Sequence, residues 1–297
     1  MKMRKILFLF VLLGLTSCNE LVKMDLKFSM GNSHDYVDSE ILGKVLKKDL
    51  QLDGFSEINA AGMVRVVFRQ DSTYKVEAFG NEKNIEVYDF VVQDGELVVR
   101  QKNERAKAIE QSLAKGMVKV YSDVYPITLF VSAPLLKKVE LNGASVLEMK
   151  NYVAPEEGME IETYGTADIE MDSLVVSDLK LESSGASDVN LKGTECANNV
   201  EISLVGAGDL NVEACCNNFL YEANGAADLE ASVKGNAVEI GMNGAGSVRL
   251  DVECNEVTLW GDMLQATLTG SCRKLNKDYG KLSKVDVDGL TVNETGK

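Results

Sequence analysis

Histidine is almost missing from this 297-residue chain; His34 is the only one. It sits in Gly31-Asn32-Ser33-His34-Asp35, a polar stretch that reads as a solvated tether. A Ser-His-Asp or Cys-His arrangement built into a rigid core is therefore excluded. Proline is nearly absent too, with three residues, and so is tryptophan, with Trp260 alone; aromatics make up 6% of the chain. Such a composition suits aliphatic packing better than an aromatic-rich cleft. Trp260 reads as an outer-face or cap residue, with stacking on a sugar as the alternative. Basic residues are scarce, 31 against 46 acidic ones, and an acidic surface disfavours nucleic acid and anionic lipid headgroups. Beyond the first residues no apolar run is long enough to cross a bilayer.

What is present begins with a leader. Residues 1–17 open with Lys2, Arg4 and Lys5, continue through an apolar run from Ile6 to Leu13, and end in Leu15-Thr16-Ser17 before Cys18. This is the layout of a secretory signal peptide. The Leu-small-small-Cys ending resembles a bacterial lipobox, which makes Cys18 the expected lipidation site. Acyl chains would then hold an exported domain at the membrane, each buried methylene contributing about 0.8 kcal/mol. The chain is expected in the cell envelope, on the outer membrane. Removing the leader's three basic residues leaves 28 against 46 acidic ones, a net charge of −18.

A short phrase returns six times, centred on Gly143, Gly165, Gly185, Gly206, Gly225 and Gly244. Its copies read VELNGASVLEM, IETYGTADIEM, LESSGASDVNL, ISLVGAGDLNV, YEANGAADLEA and IGMNGAGSVRL. A period near twenty built from strand-forming residues signals a solenoid. Four residues before each glycine stand Val139, Ile161, Leu181, Ile202, Tyr221 and Ile240; four after it stand Leu147, Ile169, Val189, Leu210, Leu229 and Val248. Polar residues alternate with the apolar ones, as at Glu148, Glu170, Asn190, Asn211, Glu230 and Arg249. That period of two is what a half-buried strand requires. One coil cannot enclose its inward residues, but stacked coils form ladders in which each buried aliphatic is worth about 1.5 to 3 kcal/mol. The glycine and the small residues after it allow a tight turn between strands. Coils running in one direction pair in parallel, and the crossover rule makes the coil right-handed. The expected fold is all-β: a right-handed parallel β-helix of about twenty residues per coil.

The phrases FSEINAAGMVRVVFRQ from Phe55, LVVRQKN ending at Asn103, ITLFVSAPLLKKVELNGAS from Ile127, and the repeated GASD, GAGD and GAAD resemble the head GIN domain of auto-transporter adhesins. The resemblance runs from Asp53 to Cys272. It implies a β-helical domain on an envelope lipoprotein, named for adhesion, and carries no catalytic motif. Two departures stand out: ERAKAIEQSLAKG at Glu104 to Gly116 reads as a short inserted helix, and VTLWGDMLQATLTG has lost the glycine phrase.

The expected organisation is a signal peptide over 1–17, lipidated Cys18 with a tether over 18–50, the solenoid over 51–275, and a final strand or loose tail over 276–297. In the tether, the run from Ile41 pairs or forms a brief helix. Phe55 to Gln101 supplies the first coils and an irregular N-terminal cap, with strands at Val64–Phe68, Tyr74–Phe79, Ile85–Val92 and Leu97–Val99. Exposed strand edges at a solenoid end require such a cap.

Five cysteines remain after Cys18. Counted back from the next strand, Cys196 and Cys215 share one column, and Cys216, Cys254 and Cys272 the next. Coils about 4.8 Å apart lie within disulfide range, and exported proteins meet oxidising conditions. Two readings stay open: bridges Cys196–Cys215 and Cys254–Cys272 with Cys216 free, or a stack of thiols packed as small hydrophobes. Near the same corner Asn198, Asn199, Asn217, Asn218, Asn236 and Asn255 read as amide ladders.

Three residues after the glycine stand Asp168, Asp188, Asp209 and Asp228. Carboxylates stacked about 4.8 Å apart repel. Either each caps backbone N–H groups of its own turn, or neighbours share a divalent cation, for which calcium is the candidate. Two functional classes follow. One is a non-enzymatic, lipid-anchored adhesin-like module presenting an acidic sheet face to a glycan or protein. The other is a polysaccharide lyase or hydrolase using the four aspartates; it rests on fold analogy. No cofactor, nucleic acid or other metal is expected.

Overall fold

The computed structural model describes residues 44–102 and 126–293. The leader, Cys18, His34 and the 104–116 segment lie outside the described residues. Within them the chain is mostly β, a parallel β-solenoid of about 8 turns with coils of about 20 residues.

The repeat forms β7 (Lys138–Ala154), β8 (Met159–Val176), β9 (Leu179–Lys234), β10 (Ala237–Ala245), β11 (Val248–Glu253), β12 (Glu256–Gly261) and β13 (Gln265–Cys272). Pairing is parallel throughout, with Gly143 opposite Gly165 and Gly165 opposite Gly185. It continues through the glycine corner, so the phrase is a bend within a paired strand. The six glycines have φ between 118° and 157°. A Cβ at Gly206 would come within 1.9 Å of the Gly185 carbonyl oxygen. The column is glycine because a carbonyl from the coil below occupies the space of a side chain. A second bend comes eight residues on, where Asn151, Ser173 and Gly193 take positive φ.

The inward columns anticipated from the alternation are buried in every copy, Val139 to Ile240 on one side of the glycine and Leu147 to Val248 on the other. Two further sets join them. Met159, Leu179, Val200, Phe219, Val238 and Val257 line the start of the coil; Tyr152, Leu174 and Thr194 follow the second bend. Tyr152 satisfies its buried hydroxyl by donating to Leu136 O at 2.7 Å.

The column begins one coil earlier than the repeat suggests. In β2 (Glu57–Gln70), Gly62 pairs with Gly143. Between them the chain leaves the solenoid to build its cap. β3 (Lys75–Asn81) pairs antiparallel with β6 (Ile127–Ala133), which lies parallel to β2. β4 (Tyr88–Gln93) and β5 (Glu96–Gln101) form an Asp94-Gly95 hairpin, and β5 also pairs with β2. Tyr88 closes the glycine column: its hydroxyl accepts from Met63 N at 3.2 Å, and a Cβ on Gly62 would meet that oxygen at 2.7 Å.

One expectation changes and two open alternatives resolve to pairing. Ile85 does not start a strand, because Glu82–Glu86 is a short helix, α1, entered through extended Asn81 with Glu82 favourably placed in its first turn. The folded unit reaches into the segment read as tether, since β1 (Val45–Asp49) pairs antiparallel with β3. The C-terminal segment is paired: β14 (Lys274–Tyr279) lies on β12, and β15 (Lys284–Val292) on β13.

Candidate binding face

Of the sides each coil shows to water, one lies before the glycine and one between the glycine and the second bend. On the first side two lysines bridge glutamates across the early coils, while Glu201, Glu222 and Glu239 continue the side as acidic residues. Lys138 Nζ lies 2.7 Å from Glu162 and 3.5 Å from Glu160; Lys180 lies 2.9 Å from Glu182 and 3.5 Å from Glu160. The Lys138 hydrogen bond lowers the Glu162 carboxyl below its ordinary range. Tyr164 donates to Glu162 at 3.4 Å.

The second side carries the aspartates. Their column starts at Arg65, passes Val146, and continues as Asp168 opposite Asp188. Asp209, Asp228 and Ser247 follow at the same place in the repeat. The four aspartates, with Asn190, Asn211, Glu230 and Arg249, line an open groove of about 480 Å³. Arg65 pairs with Glu148 at one end. Asp228 Oδ1 accepts from Ser247 N at 2.7 Å and Ser247 Oγ at 2.8 Å. It thus caps the next coil, not its own turn as expected, because the neighbouring strand supplies the closer N–H. Asp168, Asp188 and Asp209 accept no hydrogen bond from the described residues, so capping does not account for them. Burial raises the Asp168 pKa first, and Asp188, Glu170 and Glu148 add to the rise against Arg65. Among the described residues no three His, Cys, Asp or Glu gather as a metal site. The calcium candidates climb one per coil instead of converging.

The five described cysteines are free thiols. Strand alternation regroups the expected columns: Cys196 and Cys216 are buried, while Cys215 is exposed on the other face of its strand. Cys196 and Cys215 therefore do not face each other. Cys254 and Cys272 are brought together, since Glu253 pairs with Ser271 just before them. Burial pushes the Cys196 thiol up to about 12 and those of Cys216 and Cys254 up to about 11. Such thiols are poor nucleophiles at neutral pH.

The amide ladder is present. Asn218 donates to Asn199 at 2.9 Å, Asn199 to Asp178 at 3.0 Å, and Asn255 to Asn236 at 2.9 Å. Hydrogen bonds led by Asn198 hold Asp178 below the usual carboxylate range. Trp260 is an outer-face residue whose ring covers Gly241, where a Cβ would meet the indole at 2.0 Å. That glycine is required by the ring lying on it.

A family model described as "Putative auto-transporter adhesin, head GIN domain" matches residues 54–234. Crystal structures described as putative adhesins share the fold. One from Parabacteroides merdae gives a TM-score of 0.61 at 17% identity, covering 82% of this chain and 96% of that one. One from Parabacteroides distasonis gives 0.59 at 14%, covering 82% and 98%. One from Bacteroides fragilis gives 0.54 at 13%, covering 82% and 96%. No curated protein matches the sequence.

Proposed function

The chain belongs to the auto-transporter adhesin head GIN domain family, and from that premise we propose that it is a non-catalytic, adhesin-like module binding an extended glycan along its second side. The observation that carries this reading is the open groove in which Asp168, Asp188 and Asp209 accept no hydrogen bond from the described residues. Ionised carboxylates are acceptors and leave several lone pairs for donors from outside. Sugar hydroxyls are such donors. A row repeating about every 4.8 Å offers an extended glycan running along the solenoid axis a contact at each coil. Asn190 and Asn211 add donors beside the carboxylates.

We further infer that Cys18 is lipidated and holds the domain at the cell envelope, on the outer membrane. Support comes from the leader and its Leu-Thr-Ser-Cys ending. Mass spectrometry of the mature N-terminus tests it: a triacylated or diacylated Cys18 is the expected species, and an unmodified or internal N-terminus contradicts it.

One observation favours polysaccharide cleavage as a second reading. Asp168 has a raised pKa beside Asp188, the environment a general acid needs. A glycan array run in parallel with reducing-sugar and unsaturated-product assays separates the two. Binding without turnover, weakened by Asp188→Asn and Asp209→Asn, is the expected result. Turnover abolished by Asp168→Asn would establish the enzyme instead.

A further inference from the structure

The C-terminal end of the solenoid differs in charge from the rest of the chain. Residues 273–284 carry five basic residues, Arg273, Lys274, Lys277, Lys281 and Lys284, against one acidic residue, Asp278. All five are exposed. Lys274 pairs with Glu256 at 2.7 Å; the other four have no ion-pair partner among the described residues. They are spread around the last coil. Lys277 stands opposite Leu259 and so occupies an inward column at the open end of the core; Lys284 stands opposite Gln265 on the second side. Asp286 and Asp288 follow on β15, where Asp286 accepts from Asp288 N at 3.0 Å.

The glycine corner changes at the same end. β10 runs paired through the corner to Ala245, whereas β12 stops at Gly261 and β14 at Tyr279. Asp262 N reaches Asn243 and Leu264 N reaches Ser283, each 19 residues apart. That register puts Met263, then Leu282, at the place Gly244 holds. Both are exposed, Met263 at 43% and Leu282 at 74%. Val292 at the end of β15 is exposed as well.

We propose that this end is a docking surface for an anionic lipid headgroup layer, with Leu282 inserted between Lys281 and Lys284. Lysines on edge strands also discourage strand-to-strand aggregation, but that role needs no leucine at the tip. An apolar residue projecting from a basic rim is the arrangement that binds a charged bilayer interface, where apolar burial and headgroup attraction add. A soluble polyanion would use the charges alone. Because the chain is otherwise acidic, an anionic surface repels every other approach and selects this end. The inference does not depend on the glycan groove or on acylation.

Vesicle flotation tests it with a chain that begins at residue 18 and carries Cys18→Ser. All described strands lie within 44–293, so this chain keeps their contacts. Binding to phosphatidylglycerol vesicles and not to phosphatidylcholine vesicles is expected, weakening as salt rises. Replacing Lys277, Lys281 and Lys284 by Gln lowers binding about a hundredfold, and Leu282→Ser alone lowers it about tenfold. Unchanged melting temperatures show that these exposed substitutions leave the fold intact. The proposal is overturned by no binding to anionic vesicles, or by binding that survives the triple replacement. Equal binding to soluble heparin, indifferent to Leu282→Ser, would assign the end to a polyanionic polymer instead.

Discussion

The sides before and after the glycine are built from the same strands and, in the coils from Lys138 to Leu191, handle charge differently. Before the glycine, Lys138, Glu160, Glu162, Lys180 and Glu182 interlock across coils. After it, Asp168, Asp188 and Asp209 rise in a column with no hydrogen bond from the described residues, and only Asp228 is used to cap a neighbour. Stacking makes each choice repeat: an alternating column becomes a self-satisfied ladder, and a uniform one becomes a line of like charge. Repulsion of about 1 kcal/mol per neighbouring pair in water is tolerable because the inward ladders beneath are continuous. The first side thus contributes to cohesion, and the second is left available for a ligand.

Both sides depend on the corner between them, and breaking it has the largest expected effect. Gly206→Val forces a side chain into a backbone carbonyl and should cost more than about 4 kcal/mol, removing cooperative unfolding near room temperature. Gly95→Ala is the control. Gly95 has φ 85° but nothing within 4 Å of an added Cβ, so it should lose only about 1 to 2 kcal/mol for conformation. Similar melting curves for the two variants would refute the carbonyl contact. Next, Leu181→Ala opens the ladder shared by both sides and should cost about 2 to 5 kcal/mol by denaturant titration.

Smaller effects separate the sides by sign. Asp188→Asn relieves repulsion and should stabilise by about 1 kcal/mol, whereas Glu162→Gln breaks a partly exposed pair and should cost about 0.2 to 1 kcal/mol. A loss of stability in both would mean that the aspartate column is held by contacts like those of the first side. The pH dependence runs the same way. Asp168 is raised above 3.8, so its unfavourable contribution is present at neutral pH and is relieved as pH falls through the raised value toward 3.8. Glu162 is lowered below 4.5, so its favourable contribution is present above 4.5 and is lost as pH falls through the lowered value. Comparing melting temperatures of the Asp168→Asn and Glu162→Gln variants between neutral and mildly acidic pH should show opposite drifts relative to the parent.

The inward columns, the parallel stacking and the amide ladder were legible in the sequence because each coil repeats the same constraint at nearly constant spacing. Where the repeat is interrupted, spacing no longer carries the register. Gly62 belongs to the corner column, yet the cap excursion separates it from Gly143. Met263 and Leu282 hold glycine positions that no glycine marks. The cysteine columns were misaligned because counting from the next strand does not fix which of Cys215 and Cys216 faces inward; side alternation along the strand does. The aspartate column was visible, but whether its members cap their own turn or the next coil depends on a cross-strand N–H that spacing does not reveal.

The most direct test of the account compares glycan binding by two paired variants, Asp188→Asn with Asp209→Asn on the second side and Glu162→Gln with Glu182→Gln on the first. Loss of binding confined to the aspartate pair, with both variants folded, is predicted. Binding indifferent to the aspartate pair, or abolished by the glutamate pair, would contradict the division of labour between the two sides.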